Sequence, residues 1–339
     1  MKVAVGLSGG VDSAVAAALL KEQGYDVTGV FLECWNEPDC RTDKDRQDAL
    51  KVALKLRIPF RALDFKKEYR KRVMNLVYRE FKTGITPNPD ILCNREIKFG
   101  LFLEWTIKHS FDFVATGHYA QIKNNKLLQS VDKDKDQTYF LAMLKEKQLK
   151  RALFPIGHLL KKQVRFEAKK RGFHVWNKKD STGICFIGHD LPFKEFLQKK
   201  IKIHRGKVID KAGRVIGAHD GVEFYTIGQR HGFRVAAKTT ASQPLFVIQK
   251  DIKSNRLIMG KKRDLAKIGF MVDAWSWIAK APLQGRTLQV RIRHQGKLIP
   301  CKIEGKKVIL RQAASGVAPG QVAVIYSGIE CFGAGVIKA

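Results

Sequence analysis

Apolar positions in the first part of the chain follow two rhythms. Compact blocks of aliphatic and β-branched residues at 2–7, 27–32, 58–63 and 113–116 read as buried strands. Between them, 11–23, 43–56, 66–82 and 99–109 read as helices, the first stopped by Gly24, and further helices are expected over 137–150 and 161–171. Strands alternating with helices predict an α/β fold with a doubly wound parallel sheet. Beyond about residue 200 the texture changes. Strand-like runs at 206–210, 221–227, 245–248, 288–293, 307–310 and 321–326 lie between glycine-rich turns. That pattern predicts a small β module and then a C-terminal β-barrel. The expected domains are 1–198, 199–268 and 269–339.

The longest uninterrupted apolar run is seven residues, Ala14 to Leu20. A membrane span needs about 20, so no membrane partner is expected. No basic, apolar leader stands before the first strand, so a cytoplasmic location is expected. Six cysteines in 339 residues are too few for a disulfide-stapled scaffold and suit a reducing compartment.

Charge changes the picture more. The chain carries 63 Lys+Arg against 32 Asp+Glu, a formal charge of +31. Each basic group alone, such as Arg70-Lys71-Arg72 or Lys261-Lys262-Arg263, reads as a solvated face. The total excess points to a polyanion, nucleic acid first, bound on a folded surface, because no low-complexity tail is present.

Candidate chemistry begins at Gly6-Leu7-Ser8-Gly9-Gly10-Val11-Asp12-Ser13, between the first strand and first helix. The carboxyl end of a parallel strand is where α/β folds bind ligands. Small residues let the backbone approach an anion, and the helix start offers unpaired N–H groups. The spacing is neither G-x-x-x-x-G-K-[ST] nor G-x-G-x-x-G. Asp12 has two readings, a helix cap or a group near a phosphate-bound Mg²⁺.

Two cysteines sit in polar, turn-forming contexts. Cys93 closes Thr86-Pro87-Asn88-Pro89-Asp90-Ile91-Leu92-Cys93-Asn94, three residues after the acid Asp90. Cys185 lies in Asp180-Ser181-Thr182-Gly183-Ile184-Cys185-Phe186-Ile187-Gly188, after Lys178-Lys179, whose charge favours a thiolate. Neither has zinc-ligand spacing around it. Cys34, Cys40, Cys301 and Cys331 read as structural.

The string Ser-Gly-Gly-Val-Asp-Ser resembles the signature of PP-loop ATP pyrophosphatases, which adenylate a carbonyl oxygen. With the two cysteine strings, Ala-Thr-Gly-His-Tyr at 115–119, Lys-Asp-Gln-Thr-Tyr-Phe at 135–140 and Thr-Ile-Gly-Gln-Arg at 226–230, the whole chain resembles the bacterial tRNA-specific 2-thiouridylases. The resemblance implies ATP with Mg²⁺ as cofactors and tRNA as partner, with acceptors for Lys, Glu and Gln. It also implies a sulfur donor such as a cysteine desulfurase or persulfide relay. It implies ATP contacts at Gly6, Leu7, Ser8, Gly9, Gly10, Val11, Asp12, Ser13, Leu32 and Gly117. Cys93 would be the nucleophile, Cys185 the persulfide carrier, and the two would form a transient disulfide. Asp90 would act as acid or base or would position the target base. Asn88, Pro89 and Asp90 would meet that base, while Lys135, Asp136, Gln137, Arg293 and His294 would touch tRNA. Ile85, the 231–236 stretch and His294 depart from the commoner residues of the family. Two other classes remain open: a PP-loop ligase or amidotransferase acting on a small molecule, and a non-catalytic RNA-binding protein.

Overall fold

The computed structural model describes residues 1–35, 42–180, 193–235 and 244–338. Strands β1 (Lys2–Gly6), β2 (Asp26–Glu33), β3 (Phe60–Asp64), β4 (Phe113–Ala115) and β7 (Ala152–Leu153) form one sheet in the order β3-β2-β1-β4-β7. Every pairing in it is parallel. Helices α1 (Val11–Glu22) and α2 (Thr42–Leu56) pack with their buried faces against it. Seven of the twelve residues of α1 are apolar and buried, because α1 lies between the sheet and α9 (Lys161–Lys170). α3 (Lys66–Tyr69) passes through a π-helical turn at Arg70–Met74 into α4 (Asn75–Lys82). α5 (Pro89–Cys93) likewise runs through a π-helical stretch, Asn94–Leu101, into α6 (Phe102–Lys108).

The expected helix at 137–150 is instead two short ones, α7 (Thr138–Leu141) and α8 (Glu146–Leu149). Lys145 between them is extended, and its N–H is taken by the Gln148 side chain at 2.7 Å, which restarts the helix. After α10 (Phe193–Gln198), the middle domain holds β8 (Gly206–Ile209), β9 (Val215–His219), β10 (Arg234–Val235), β11 (Phe246–Asp251) and β12 (Arg256–Gly260), in the order β10-β9-β8-β12-β11. The expected strand at 221–227 is a 3₁₀ turn at Val222–Phe224. Gly221 enters it at φ 141°, and the apolar residues that imitate strand alternation, Val222, Phe224 and Tyr225, are core contacts.

Strands β13 (Lys267–Trp277), β14 (Leu288–Arg291), β15 (Ile299–Glu304), β16 (Lys307–Ala314), β17 (Val322–Ser327) and β18 (Glu330–Ile337) close into a barrel through the β13–β18 pairing. Its interior is a separate apolar core that includes Val290, Val308, Ala323 and Ile325. The α/β sheet, middle β module and barrel agree with the architecture read from the sequence. A hairpin of the first domain was missed: β5 (Ala120–Lys123) and β6 (Lys126–Gln129) join the barrel's sheet, with Glu330 opposite Leu128 and Cys331 opposite Leu127. Backbone hydrogen bonds therefore cross from the catalytic domain to the barrel.

Candidate active site

Leu7 donates its N–H to Val30 O at 2.8 Å, after which the chain leaves the sheet. The turn is held by its own hydroxyls. Ser8 N–H donates to Ser13 Oγ at 3.1 Å, and Ser13 Oγ donates to Gly10 O at 3.1 Å. The first residue before α1, Gly10, supplies no side-chain cap. The N–H groups at the helix start are therefore left without a capping side chain and carry the partial positive charge of the helix. Gly9 is at φ +73°, and any Cβ there would collide with the Asp45 carbonyl. A Cβ on Gly117 would lie 2.6 Å from Ser13 N and from the Asp12 carbonyl carbon. These two glycines keep open a backbone cradle that suits a polyphosphate. Leu7, Val11, Ser13 and Leu32 are buried, so of the expected ATP contacts these four offer backbone rather than side chain.

Asp12 is not a helix cap. Both its oxygens accept from Lys161 Nζ at 2.8 Å, and Tyr119 OH donates to Oδ1 at 2.8 Å. The Lys161 side chain is only 12% exposed, and its ammonium also lies 2.8 Å from Asp180 Oδ1. Asp180 further accepts from Lys135 at 2.7 Å and Arg165 at 2.7 Å. Burial works to raise the Asp180 pKa, but the hydrogen bonds from Lys135 and Lys161 outweigh it and bring it down to about 2. Burial, then the Asp12 charge, pushes the Tyr119 phenol up. A second lysine ties the same region down: Lys178 Nζ donates to Gly9 O at 2.8 Å, Asp45 at 2.7 Å and Asp48 at 2.6 Å. Lys161, Tyr119, Lys178 and Asp180 were not singled out as site residues from the sequence, although Tyr119 and Asp180 lie inside strings that were. Cys185 lies outside the described residues.

The second part of the site is the turn before Cys93. Asn88 Oδ1 accepts from Ile91 N–H at 3.1 Å, so Asn88 caps α5 with Pro89 in its first turn. Asn94 Nδ2 donates to Asp90 O at 3.0 Å. The capped turn carries Asp90, half-exposed, on the same short helix as Cys93, which is 0% exposed in the apolar core. The chain entering this turn is gripped by both other domains. Thr86 N–H donates to Pro319 O at 3.1 Å, Gln321 Nε2 donates to Thr86 O at 2.9 Å, and the Thr86 and Thr226 hydroxyls are 3.2 Å apart. Ile85 packs where any side chain at Gly320 would have to sit.

The expected RNA-contacting segments are neighbours. Gln295 Nε2 donates to Asp134 O at 2.8 Å, and the His294 ring lies 4.3 Å from that of Phe140. Lys135 is partly exposed and Arg293 exposed. Gln137 faces inward as well: its Oε1 accepts from Tyr119 N–H at 3.0 Å. Asp136 corrects the expectation of a tRNA contact. It is 1% exposed, and its carboxylate is taken up by Ser130 N–H, Thr138 Oγ1, Gln129 Nε2 and Arg291 Nη1. A phosphate-binding surface would also have no use for a carboxylate. Burial, with the Arg291 charge adding to it, lowers the His294 pKa, so the ring is neutral at pH 7.

Among the described residues no cluster of three or more His, Cys, Asp or Glu side chains is placed to hold a metal, and no helix is long and apolar enough to cross a membrane. Asp12, in the first turn of α1, is a hard oxygen donor of the type Mg²⁺ uses beside substrate phosphates.

Three family models match the chain. They are the tRNA methyl transferase HUP domain over 1–189, the tRNA methyl transferase PRC-barrel domain over 194–261 and the aminomethyltransferase beta-barrel domain over 267–337. The tRNA-specific 2-thiouridylase MnmA of Nitrosomonas eutropha is 44% identical over 354 residues, covering 99% of this chain and 98% of its own length. Its namesake from Lacticaseibacillus paracasei is 41% identical over 357 residues, covering 100% of this chain and 94% of its own length. With the glycine cradle, the capped Asp90–Cys93 turn and full-length relatives at this identity, the chain belongs to the family of tRNA-specific 2-thiouridylases.

Proposed function

We propose that this chain catalyses ATP-dependent 2-thiolation of uridine 34, the wobble base, of tRNA. The observation that carries the reading is the match, over essentially the whole chain, to relatives named for that activity. The built site agrees with it. ATP would lie against Gly6–Ser13 and Gly117 with Mg²⁺ near Asp12, and it would supply the adenylyl group, with pyrophosphate leaving, that turns the uridine 2-carbonyl oxygen into a leaving group. The chain's own share is positional and electrostatic. The N–H groups at the start of α1 face the phosphates, and Lys161 keeps the Asp12 charge balanced beside them. Asn88, Pro89 and Asp90 meet the flipped base, which leaves its stack at low cost in a single-stranded anticodon loop. Asp90 orients that base or moves its proton.

Sulfur arrives as a persulfide on Cys185, loaded by a desulfurase or relay protein. Its terminal sulfur bonds to carbon 2 as AMP departs with the former carbonyl oxygen. The Cys93 thiolate then attacks Cys185 Sγ. The Cys93–Cys185 disulfide forms, the sulfur–sulfur bond to the base breaks, and the electron pair stays on the new 2-thiouridine. A cellular thiol reductant resets the pair. Alternatively, Cys93 attacks the persulfide first and releases hydrosulfide as the nucleophile.

The test is nucleoside mass spectrometry after incubation with ATP, Mg²⁺, sulfide and unmodified tRNA for Lys, Glu or Gln. Sulfur in place of oxygen on the wobble uridine, with AMP released, is the expected result. AMP release without tRNA and without thiolation would overturn the reading in favour of a small-molecule ligase.

A further inference from the structure

The positive charge is dense in the middle domain. Residues 194–261 hold 15 lysines and arginines against 5 acids. Two of these side chains, Arg205 and Arg234, line one cleft of about 340 Å³ together with Ala218, His219, Asp220 and Phe233. The cleft sits at one end of the β8–β9 hairpin, with β10 along its side. Arg205 and Arg234 are exposed, and neither has an ion-pair partner among the described residues. The acid at the cleft is already neutralised: Lys194 Nζ lies 2.6 Å from Asp220 Oδ2, and Arg234 and Arg205 add to the field that holds the Asp220 carboxyl below its ordinary range. His219 is buried and adds no charge at neutral pH, because desolvation lowers its pKa. The cleft thus presents two uncompensated guanidiniums beside a half-buried aromatic ring, Phe233.

Its place in the fold links it to the reaction. The same segment that touches the target-base turn through Thr226 and Thr86 continues into the cleft at Phe233 and Arg234. Eight residues span at most about 29 Å, so the cleft lies within that reach of Thr226. Tyr225 OH bonds back to Gly232 O and folds the segment on itself, which shortens the reach further.

We propose that the Arg205–Arg234 cleft is a second RNA-binding site of this chain, taking a backbone phosphodiester of the tRNA while the base loop holds the uridine. It rests on the tRNA reading above. Two guanidiniums on one phosphodiester form charge-assisted, forked hydrogen bonds that position the RNA without reading its sequence.

The experiment measures tRNA affinity against salt for the wild-type chain, for Arg205→Gln/Arg234→Gln and for Lys211→Gln/Arg214→Gln. The last pair removes equal charge at the other end of the hairpin, where both side chains are already ion-paired. The cleft variant is expected to bind tRNA about tenfold more weakly, with the log–log salt slope reduced by about one. Its affinity for a non-hydrolysable ATP analogue and its thiolation rate at saturating tRNA are expected to stay at the wild-type level. An unchanged affinity and slope would overturn the proposal, as would an equal loss in the hairpin-tip variant. Weakened ATP-analogue binding would instead assign the cleft to nucleotide and overturn it too. A wild-type chain that binds no tRNA would sink the functional reading itself, which is a different result from any of these.

Discussion

Arg291, in strand β14 of the barrel, donates from Nη1 to Asp136 Oδ2 of the catalytic domain at 2.8 Å, and both side chains are almost wholly buried. The guanidinium also lies over the Tyr326 ring, 5.2 Å from its centre, and Thr138 bonds to both Asp136 and the Tyr326 hydroxyl. This ion pair and the β6–β18 ladder fix where the barrel's Arg293–His294 turn stands relative to Lys135.

Breaking such a pair from one side leaves a buried charge without compensation, at a cost of about 3–5 kcal/mol. Asp136→Ala should therefore lower the stability against urea by that order, with weakened tRNA binding alongside. The double variant Asp136→Leu/Arg291→Met should recover much of the loss. A urea midpoint unchanged by Asp136→Ala would show that the pair holds nothing together.

Gly9→Ala places a Cβ against the Asp45 carbonyl at a left-handed backbone position, which alone costs about 1–2 kcal/mol. The affinity for a non-hydrolysable ATP analogue, read by calorimetry, should fall about tenfold or more, while tRNA binding persists. An alanine variant with wild-type nucleotide affinity would remove the loop from the nucleotide site.

Cys93→Ser and Cys185→Ser should each reduce thiolation by about a hundredfold or more, while tRNA binding survives. Cys301 and Cys331 should behave differently. Both are buried in or beside the barrel, and burial pushes the Cys301 thiol up to about 11 and the Cys331 thiol higher still. Mass spectrometry after brief iodoacetamide treatment at pH 8 should find both unmodified in the native protein. Rapid labelling of either would contradict the buried placement.

Asp180 ties pH to stability. Its folded pKa of about 2 lies below the unfolded value near 3.9, so its ion pairs stabilise the fold above about pH 4. That contribution drains away as pH falls through the window towards 2. Asp180→Asn should be less stable than wild type at pH 7, and the gap should narrow between about pH 4 and 2 in urea titrations. A gap that stays constant across that window would mean that Asp180 does not titrate as a paired group.

Much of the site was readable because its chemistry is written in contiguous strings. A phosphate loop needs its glycines and hydroxyls within one turn, and Asp90 and Cys93 share one short helix capped by Asn88. The partners that complete the site were not readable in this way. Lys161 meets Asp12 across 149 residues, and Arg291 meets Asp136 across 155. Nothing in the local pattern around a lysine in an amphipathic helix separates it from its solvated neighbours. The same distance hid the role of Asp136, which sits inside a recognisable string yet points into the protein.

By itself, then, the sequence determined the parallel α/β layer, the β-rich remainder and the glycine-rich turn between the first strand and first helix, because strand and helix periodicity and turn chemistry act over a few residues. The tertiary structure decided which charges are spent on the fold and which are left for a ligand. It placed Lys161 on Asp12, buried Asp136 against Arg291, joined the β5–β6 hairpin to the barrel and left Arg205 and Arg234 facing a cleft. A charge's role depends on its desolvation and its nearest opposite charge, and both are properties of the folded packing rather than of sequence neighbours.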